Sequence, residues 1–457
     1  MSKAQGQKEG PSNIETAFIS SIDGLNSVDI SSGIVNLKYY ESILQDGVMG
    51  SVVFADAGTD GGESLNGKTV MEGLPLTGSE FIQLKMTDNN DVELKQKMVV
   101  TNPTPISEES NKTLVVCSLV SEAYAKNDNT SIFDRFDGKI SDHVEKILTD
   151  DNYLATEKDL DIEVTSNNLS EFGLRRKPYF MLNSFAKKSV PDGGLGNVAG
   201  YFFYETSEKM VFKSIDSLFD KEKNKPKRSI IYNESNSKGR MLSDIMNGGR
   251  GKDGTPAGYD YKAMTYDRLT TDAVKRNNMG ANSTARITLD PRTREFRHTV
   301  LYSSSIAKEG EGITIEPLST AGLDLPTFNP NLVKDFSRTT LSLFDVGTFD
   351  TEPLSNNESD FEIGDILNQS IMRYNQMFAT KVNITIAGDF ELHAGDLVFF
   401  DAPSPQADTK NDEVDRQSGG LYIIASLCHF ISPKRTLTKL TLIRDSFGRD
   451  GNHTLRD

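Results

Sequence analysis

Hydrophobic and polar residues alternate with a period of two along most of this chain, so strands predominate among its elements. Ile82, Leu84 and Met86 alternate with polar neighbours. Val92, Leu94, Met98 and Val100 share one face, and Glu93, Lys95 and Lys97 share the other. Leu114–Val120 is a nearly continuous β-branched run, as in a strand covered on both sides. Asp56–Gly62 and Asp88–Asp91 read as turns, and residues 14–125 together predict a first small antiparallel β-barrel. The last eighty residues have the same character. Val382, Ile384 and Ile386 alternate with Asn383 and Thr385. Gly388 and Gly395-Asp396 stand where tight reversals are needed, and Gly419-Gly420 opens the next strand. Glycine enters positive φ without steric cost, so these are candidate structural turns. Residues 377–447 predict four strands of a second small barrel.

The period changes to that of a helix in 126–220, which predicts an α/β middle domain. Ser141 is placed to cap a helix running to about Leu148, with Ile140, Val144, Ile147 and Leu148 on one stripe. Pro178 is placed to open a second helix, with Phe180, Leu182 and Phe185 available for burial. Strands Tyr201–Tyr204 and Met210–Ile215 follow, joined by the turn Thr206-Ser207-Glu208. Ser229–Tyr232 and Tyr259–Tyr266 are further strands. Residues 277–362 are rich in Thr, Ser, Asn and Pro, with candidate strands at Arg286–Leu289 and Arg297–Tyr302. A helix over Gly364–Met377, using Ile366, Leu367, Ile371 and Tyr374, returns the chain to the barrel. One long-range echo stands out. Leu76-Thr-Gly-Ser-Glu-Phe-Ile-Gln-Leu and Leu392-His-Ala-Gly-Asp-Leu-Val-Phe-Phe are each apolar, turn, acid, then strand.

Three segments in sequence order carry a family resemblance. The first holds NLKYYESILQDGVMGSVVFADAG (Asn36–Gly58) and LPLTGSEFIQLKM (Leu74–Met86). The second holds KPYFMLNSFAKKSV (Lys177–Val190) and GYFFYETSEKMVFKSIDSL (Gly200–Leu218). The third holds GDFELHAGDLVFF (Gly388–Phe400), GLYIIASLCHFIS (Gly420–Ser432) and TLTKLTLIRDS (Thr436–Ser446). Together they resemble the central baseplate hub protein of contractile-tailed, T-even-like bacteriophages, to which the hub half of type VI secretion spike proteins is related. The resemblance implies a mainly β chain with an α+β middle domain and two small barrels of tail-tube type. The second barrel would combine 221–276 with 377–447, around an insertion at 277–376 that departs from the family pattern. It further implies a structural virion protein in the phage tail baseplate, assembled in the host cytoplasm, and no enzyme. A homotrimer would join a threefold central spike protein to the pseudo-sixfold tail tube or its initiator proteins. The tape measure protein is a further expected partner, and genomic DNA passes only in transit.

Composition and charge bear on this. At 457 residues the chain has room for two to four domains. No apolar run approaches the ~18 residues that would cross a bilayer, so no membrane insertion is expected. The polar start, residues 1–13, lacks the apolar stretch of a signal peptide and reads as a flexible tail, as does 448–457. Cys117 and Cys428 both lie in apolar strand patterns and read as buried free thiols, in keeping with synthesis in a reducing cytoplasm. The net charge of −16 is uneven. Residues 1–125 carry 8 Lys and no Arg against 17 acids, whereas 221–300 carry 17 basic against 9 acidic residues, and 301–374 carry 4 against 12. Such blocks suit faces that meet different partners, with Lys225, Lys227 and Arg228 as candidate partner contacts.

Reacting groups are scarce. Gly249-Arg-Gly-Lys-Asp-Gly254 matches GxGxxG, but a helix-like MLSDIMN precedes it and Pro256 follows, so the strand-turn-helix context of a dinucleotide site is missing. His143, His298, His393, His429 and His453 have no metal-ligand spacing. Asp408, Asp412, Glu413 and Asp415 lack the glycine and closing glutamate of a calcium loop. The basic run Lys221–Arg228 lacks interleaved aromatics. No catalytic residue, cofactor or metal is expected. Two other readings stay open: a tail-associated enzyme that degrades cell-wall glycan, with an acid pair in the insertion, and a peripheral receptor-binding tail protein. The complete absence of tryptophan weighs against a glycan cleft.

Overall fold

The computed structural model describes residues 10–56, 68–232, 260–302, 338–343 and 362–445, apart from 75, 110–111, 193–197, 221–223, 270–274, 276–277, 282, 291–293 and 402–418. The GxGxxG segment, the acidic loop 408–415 and His453 lie outside the described residues. The fold is mainly β. A first unit holds β1 (Asn13–Ser20), β2 (Ser27–Asp29), β3 (Ile34–Ser42), β4 (Met49–Asp56), the short helix α1 (Val70–Gly73), β5 (Phe81–Thr87), β6 (Glu93–Glu109) and β7 (Lys112–Ser121). A middle region follows with α2 (Glu122–Asn129), β8 (Arg135–Lys139), α3 (Ile140–Thr149), β9 (Asp159–Ile162), β10 (Asn168–Phe172), α4 (Pro178–Lys188), β11 (Tyr201–Glu205), β12 (Lys209–Ser214) and α5 (Ile215–Phe219). The rest holds β13 (Arg228–Ile231), β14 (Asp260–Lys262), β15 (Thr265–Leu269), β16 (Ser283–Asp290), β17 (Glu295–Tyr302), β18 (Arg338–Leu343), α6 (Glu362–Met377), β19 (Thr380–Ala387), β20 (Leu397–Asp401), β21 (Gly420–Ile431) and β22 (Thr436–Arg444).

Two five-stranded antiparallel sheets repeat one topology. In the first unit the order is β3-β4-β7-β6-β5. In the second it is β15-β19-β22-β21-β20. The alternation read in the sequence is the cause: Val52 and Phe54 of β4, and Val382, Ile384 and Ile386 of β19, all point into one apolar cluster. The units join because β3 also pairs with β21, Leu37 opposite Ile431 through Ser42 opposite Ser426. The result is one fourteen-stranded sheet, with no closed barrel among the described residues. In the second unit the gap between β13 and β19 is bridged by single bonds: the Ala263 N–H donates to Ile231 O (2.9 Å) and the Met264 N–H to Thr385 O (2.7 Å).

The middle region has its own core, centred on Ile140, Val144, Ile147, Leu182, Phe185 and Phe212. Two details differ from the sequence reading. α3 begins at Ile140, so Ser141 is inside the helix and its N–H donates to Thr165 Oγ1 (3.0 Å) instead of its hydroxyl capping the end. In α4 the buried residues are Pro178, Tyr179, Met181, Leu182, Phe185, Ala186 and Lys188, whereas Phe180 points outward under the Arg176 guanidinium. Tyr179, Leu182 and Ala186 recur at i, i+3 and i+7 and define the buried stripe, which leaves Phe180 on the solvent face. β16, β17 and β18 form a separate three-stranded sheet within 277–376. α6 ties it to the rest: Asn368 bonds Thr284, Ser370 Oγ donates to Lys187 O (2.7 Å), Gln369 accepts from Ala199 N–H (2.8 Å), and Arg373 pairs with buried Asp216.

Candidate functional site

The two segments of the sequence echo occupy the same place in the two sheets. In the first, the Ser79 N–H donates to Val100 O (2.8 Å) and the Val100 N–H to Glu80 O (2.7 Å). In the second, the Gly395 N–H donates to Ile424 O (2.8 Å) and the Ile424 N–H to Asp396 O (2.9 Å). The acid closes each turn on itself: Glu80 Oε1 accepts from Thr77 N–H (2.8 Å), and Asp396 Oδ2 from His393 N–H (2.7 Å). Both turns need positive φ at the same position, +91° at Ser79 and +87° at Gly395. One residue further along, each long strand carries a bulge, between Thr101 and Thr104 in β6 and between Ile424 and Ser426 in β21. Bulges bend a strand and increase its twist. The chain therefore contains a structural duplication down to hydrogen bonds, which nine residues of apolar-turn-acid pattern announced only faintly.

The second turn sits at a three-way junction. Glu41, at the end of β3, is buried and accepts from the Tyr39 hydroxyl (2.9 Å), Ser207 N–H (2.7 Å) and Ala394 N–H (3.0 Å). His393 Nδ1 lies 3.3 Å from Glu41 Oε1 and 3.3 Å from Ser207 Oγ. Burial alone would raise the Glu41 carboxyl, but His393, with the Ala394 and Tyr39 donors, outweighs it and holds it at about 2. Burial opposes a charged His393, and Glu41 overcomes that and raises it. Nearby Glu205, also buried, accepts from Val48 N–H (3.0 Å) and pairs with Lys158 (2.9 Å). One hairpin of the middle region, β11–β12, is thereby fastened to both sheet units. Ser207, His393 and Glu41 share a vicinity that invites comparison with a Ser-His-acid set. The geometry denies it: serine and carboxylate both approach Nδ1, whereas proton relay needs them on opposite ring nitrogens. Further along β21, His429 is neutral, pushed down to about 4 by burial, and stacks on Tyr39. Among the described residues no group of three metal-ligating side chains occurs.

The other residues singled out in the sequence are placed as follows. Gly395 is surrounded: a Cβ there would come 1.9 Å from the Tyr204 hydroxyl oxygen. Gly388 is not at positive φ; a Cβ would instead meet Thr436 Cγ2 at 2.5 Å, so close approach is what excludes a side chain. Gly419 O accepts from the buried Arg444 (2.5 Å), and Gly420, at φ +121°, starts β21. Lys225 is exposed. Lys227 pairs with Asp396 (3.0 Å). Arg228 is buried, paired with Asp389 (2.8 Å) and Glu391 (2.5 Å) under the ring of Tyr261. Arg228 thus acts inside the chain and not as a surface contact, because β13 turns it toward the carboxylates of the 388–396 turn. Cys117 is buried and free, its thiol pushed by burial up to about 12, and Cys428 is free and half-buried. An open trough on the polar face of β3, β21, β22, β19 and β15 is lined by Tyr40, Asp267, Asn383, Thr385, Lys439 and Thr441. Besides hydroxyls and an amide it presents the Asp267 carboxylate, the Lys439 ammonium and, opposite Lys439, the Cys428 thiol, which burial pushes up from its ordinary pKa.

No protein-family model matches the sequence, and no curated protein matches it. Solved structures do. A 43 kDa tail protein of prophage MuSo2 from Shewanella oneidensis superposes with a TM-score of 0.51 over 95% of this chain and 100% of its own, at 10% identity. A tail protein from Neisseria meningitidis MC58 gives 0.51 over 96% and 98%, at 9% identity. This chain has the fold of a phage tail protein. A component of the Escherichia coli type VI secretion system covers 91% of the chain and 74% of its own at 8% identity, but its TM-score of 0.39 is too low to bear on the fold. The Glu41–His393 junction ties the two sheet units and the β11–β12 hairpin together.

Proposed function

We propose that this chain is the trimeric hub of a phage tail baseplate, joining a threefold spike to the pseudo-sixfold tail tube around a central channel. The observation that carries it is the duplication. Two sheet units with one topology, one turn geometry and one bulge lie in a single chain, so three chains present six similar units. A ring of this kind is threefold to a spike and nearly sixfold to a tube, and repeated symmetric interfaces close it. Each unit would act as one barrel of the ring. The partners are a second and third copy, the central spike protein, the tube or tube-initiator proteins and the tape measure protein, with DNA only passing through. The first unit, net −9 over residues 1–125 and free of arginine, suits a channel wall that repels phosphate. The test is a reconstruction of tail particles containing the chain: three copies on the tail axis between spike and tube are expected, and a peripheral position or a single copy would overturn the reading.

A further inference from the structure

The insertion carries a sheet that is built inside out. Its strands lie in the order β17-β16-β18. Side chains on a strand alternate between the two faces, so the register assigns each residue a side. One side meets α6. Thr284 Oγ1 donates to Asn368 O (3.2 Å), and a Cβ on Gly364 would lie 3.3 Å from Thr288 Oγ1 and 3.6 Å from Arg286 Cδ. Thr340 and Ser342 of β18 share that side, with Ser342 Oγ accepting from Arg286 (3.1 Å). This side is polar, and Thr284, Arg286 and Thr288 are buried in it. The opposite side is apolar and open. Phe296, Leu289 and Leu343 stand in one row across the three strands, and His298, Ile287 and Leu341 in the next. Phe296 is 72% exposed, Leu341 77%, Leu343 69% and Leu289 38%. No acid, lysine or arginine stands in either row. A sheet that buries its polar face and leaves its leucines in water lacks a layer, because folds cover apolar faces and large exposed ones mark interaction sites.

We propose that the missing layer is an amphipathic helix of a partner protein, apolar along one stripe and acidic on its flanks. The size fits a helix. Strands about 4.8 Å apart put the outer two about 10 Å from each other, which is about one helix diameter. α6 already covers the other face in this way. Charge selects the flanks. Residues 283–302 and 338–343 hold five arginines and no lysine against two acids, in a chain of net charge −16. Arg286 bonds inside the sheet, and Arg297 pairs with Asp365 of α6 (3.2 Å). Arg294, in the turn beside Phe296, and Arg338, at the start of β18, are exposed and have no acid partner among the described residues. A frame of arginines around an apolar floor attracts carboxylates and repels cations. The same frame disfavours a second copy of this sheet, which would set arginine against arginine. A flat sheet face has nothing that projects into acyl chains, which favours a protein over a lipid surface. The partner meets the insertion and not the duplicated sheet units, so this inference goes beyond the hub reading and does not need it.

The experiment has two arms, both with the full chain. In the first, Leu341→Cys is made with Cys428→Ser and its labelling by a maleimide is timed. The free chain should label about as fast as the urea-unfolded chain, and the same chain in tail particles at least about tenfold more slowly. A thiol blocked in the free chain would mean that the chain covers this face itself, and one equally open in particles would mean that nothing docks there; either overturns the proposal. The second arm uses two synthetic helical peptides of about eighteen residues, with one leucine stripe flanked by glutamates or by lysines. By fluorescence anisotropy the glutamate peptide should bind the free chain about fivefold more tightly than the lysine peptide at low salt. Leu341→Asp, at a 77% exposed position, should leave the melting temperature unchanged and weaken the glutamate peptide about tenfold. Arg294→Glu with Arg338→Glu should erase the preference between the peptides. Equal binding of both peptides, or binding indifferent to Leu341→Asp, overturns the proposal. So does self-association, or attachment to phosphatidylglycerol vesicles, that Leu341→Asp abolishes, since the occupant is then a second copy or a lipid surface. None of these results touches the hub reading, which the particle reconstruction decides.

Discussion

Gly395→Ala isolates the strain that the second turn places on one residue. Two costs add. At φ +87° an L-residue is held where its Cβ crowds the backbone, worth about 1–2 kcal/mol. The new methyl would also lie 1.9 Å from the Tyr204 hydroxyl oxygen and 2.7 Å from Cζ. Tyr204 is 2% exposed and set among Phe202, Leu397 and Ile423, so it has little room to withdraw; such overpacking costs about 1–3 kcal/mol. The sum is about 2–5 kcal/mol. Gly388→Ala carries only the second kind of cost, since its φ is ordinary and the obstacle is the Thr436 methyl. The assay is urea unfolding followed by fluorescence of the tyrosines, with a double-mutant cycle adding Tyr204→Leu. Removing the ring should recover the overpacking part and leave the conformational part, so the coupling is about 1–3 kcal/mol and favourable. A Gly395→Ala chain as stable as wild type, or a cycle with no coupling, would refute the placement of Tyr204 over this turn.

The same reasoning runs in reverse at the matching turn, where Ser79→Gly relieves φ +91° and should stabilise by about 0.5–1 kcal/mol, net of the extra freedom of the unfolded glycine; a lower urea midpoint would contradict it. Arg228→Ala leaves buried Asp389 without its main partner and should cost about 3 kcal/mol, whereas Lys225→Ala should shift the urea midpoint hardly at all; equal effects would show that Arg228 is not interior. His393 is raised above its unfolded value of 6.5, so its stabilising contribution is full below that pH and is lost as pH rises through the folded value. Glu41 is lowered from 4.5 to about 2, so its part is full above 4.5 and lost as pH falls toward 2. The pair is therefore strongest between about 4.5 and 6.5, and the decline of melting temperature above that window should be shallower in His393→Gln; parallel profiles would mean the pair is not coupled. Cys117, buried and high in pKa, should resist an aromatic disulfide reagent until the chain unfolds.

What this sequence determined by itself was local. Alternation at Ile82–Met86 and Val382–Ile386 specified strands and the face each buries, because side-chain direction in a strand has period two and needs no distant partner. The helical stripe of Ile140–Leu148 was equally legible, though not its first residue, since Thr165 from another loop accepts from the Ser141 N–H and no side chain of the helix's own caps its start. The reversals at Gly388 and Gly395 could be located but not explained: one excludes a side chain by crowding from Thr436 and the other by φ and Tyr204, residues 48 and 191 positions away. The tertiary structure alone decided that Arg228 faces Asp389 inside the chain, and that Glu41, Ser207 and His393 meet. It also decided that the echo between Leu76–Leu84 and Leu392–Phe400 is a repeat, with matched backbone bonds to Val100 and Ile424. Register between strands hundreds of residues apart depends on which apolar faces pack together and which bulges bend them, and a single sequence records the faces but not the pairing.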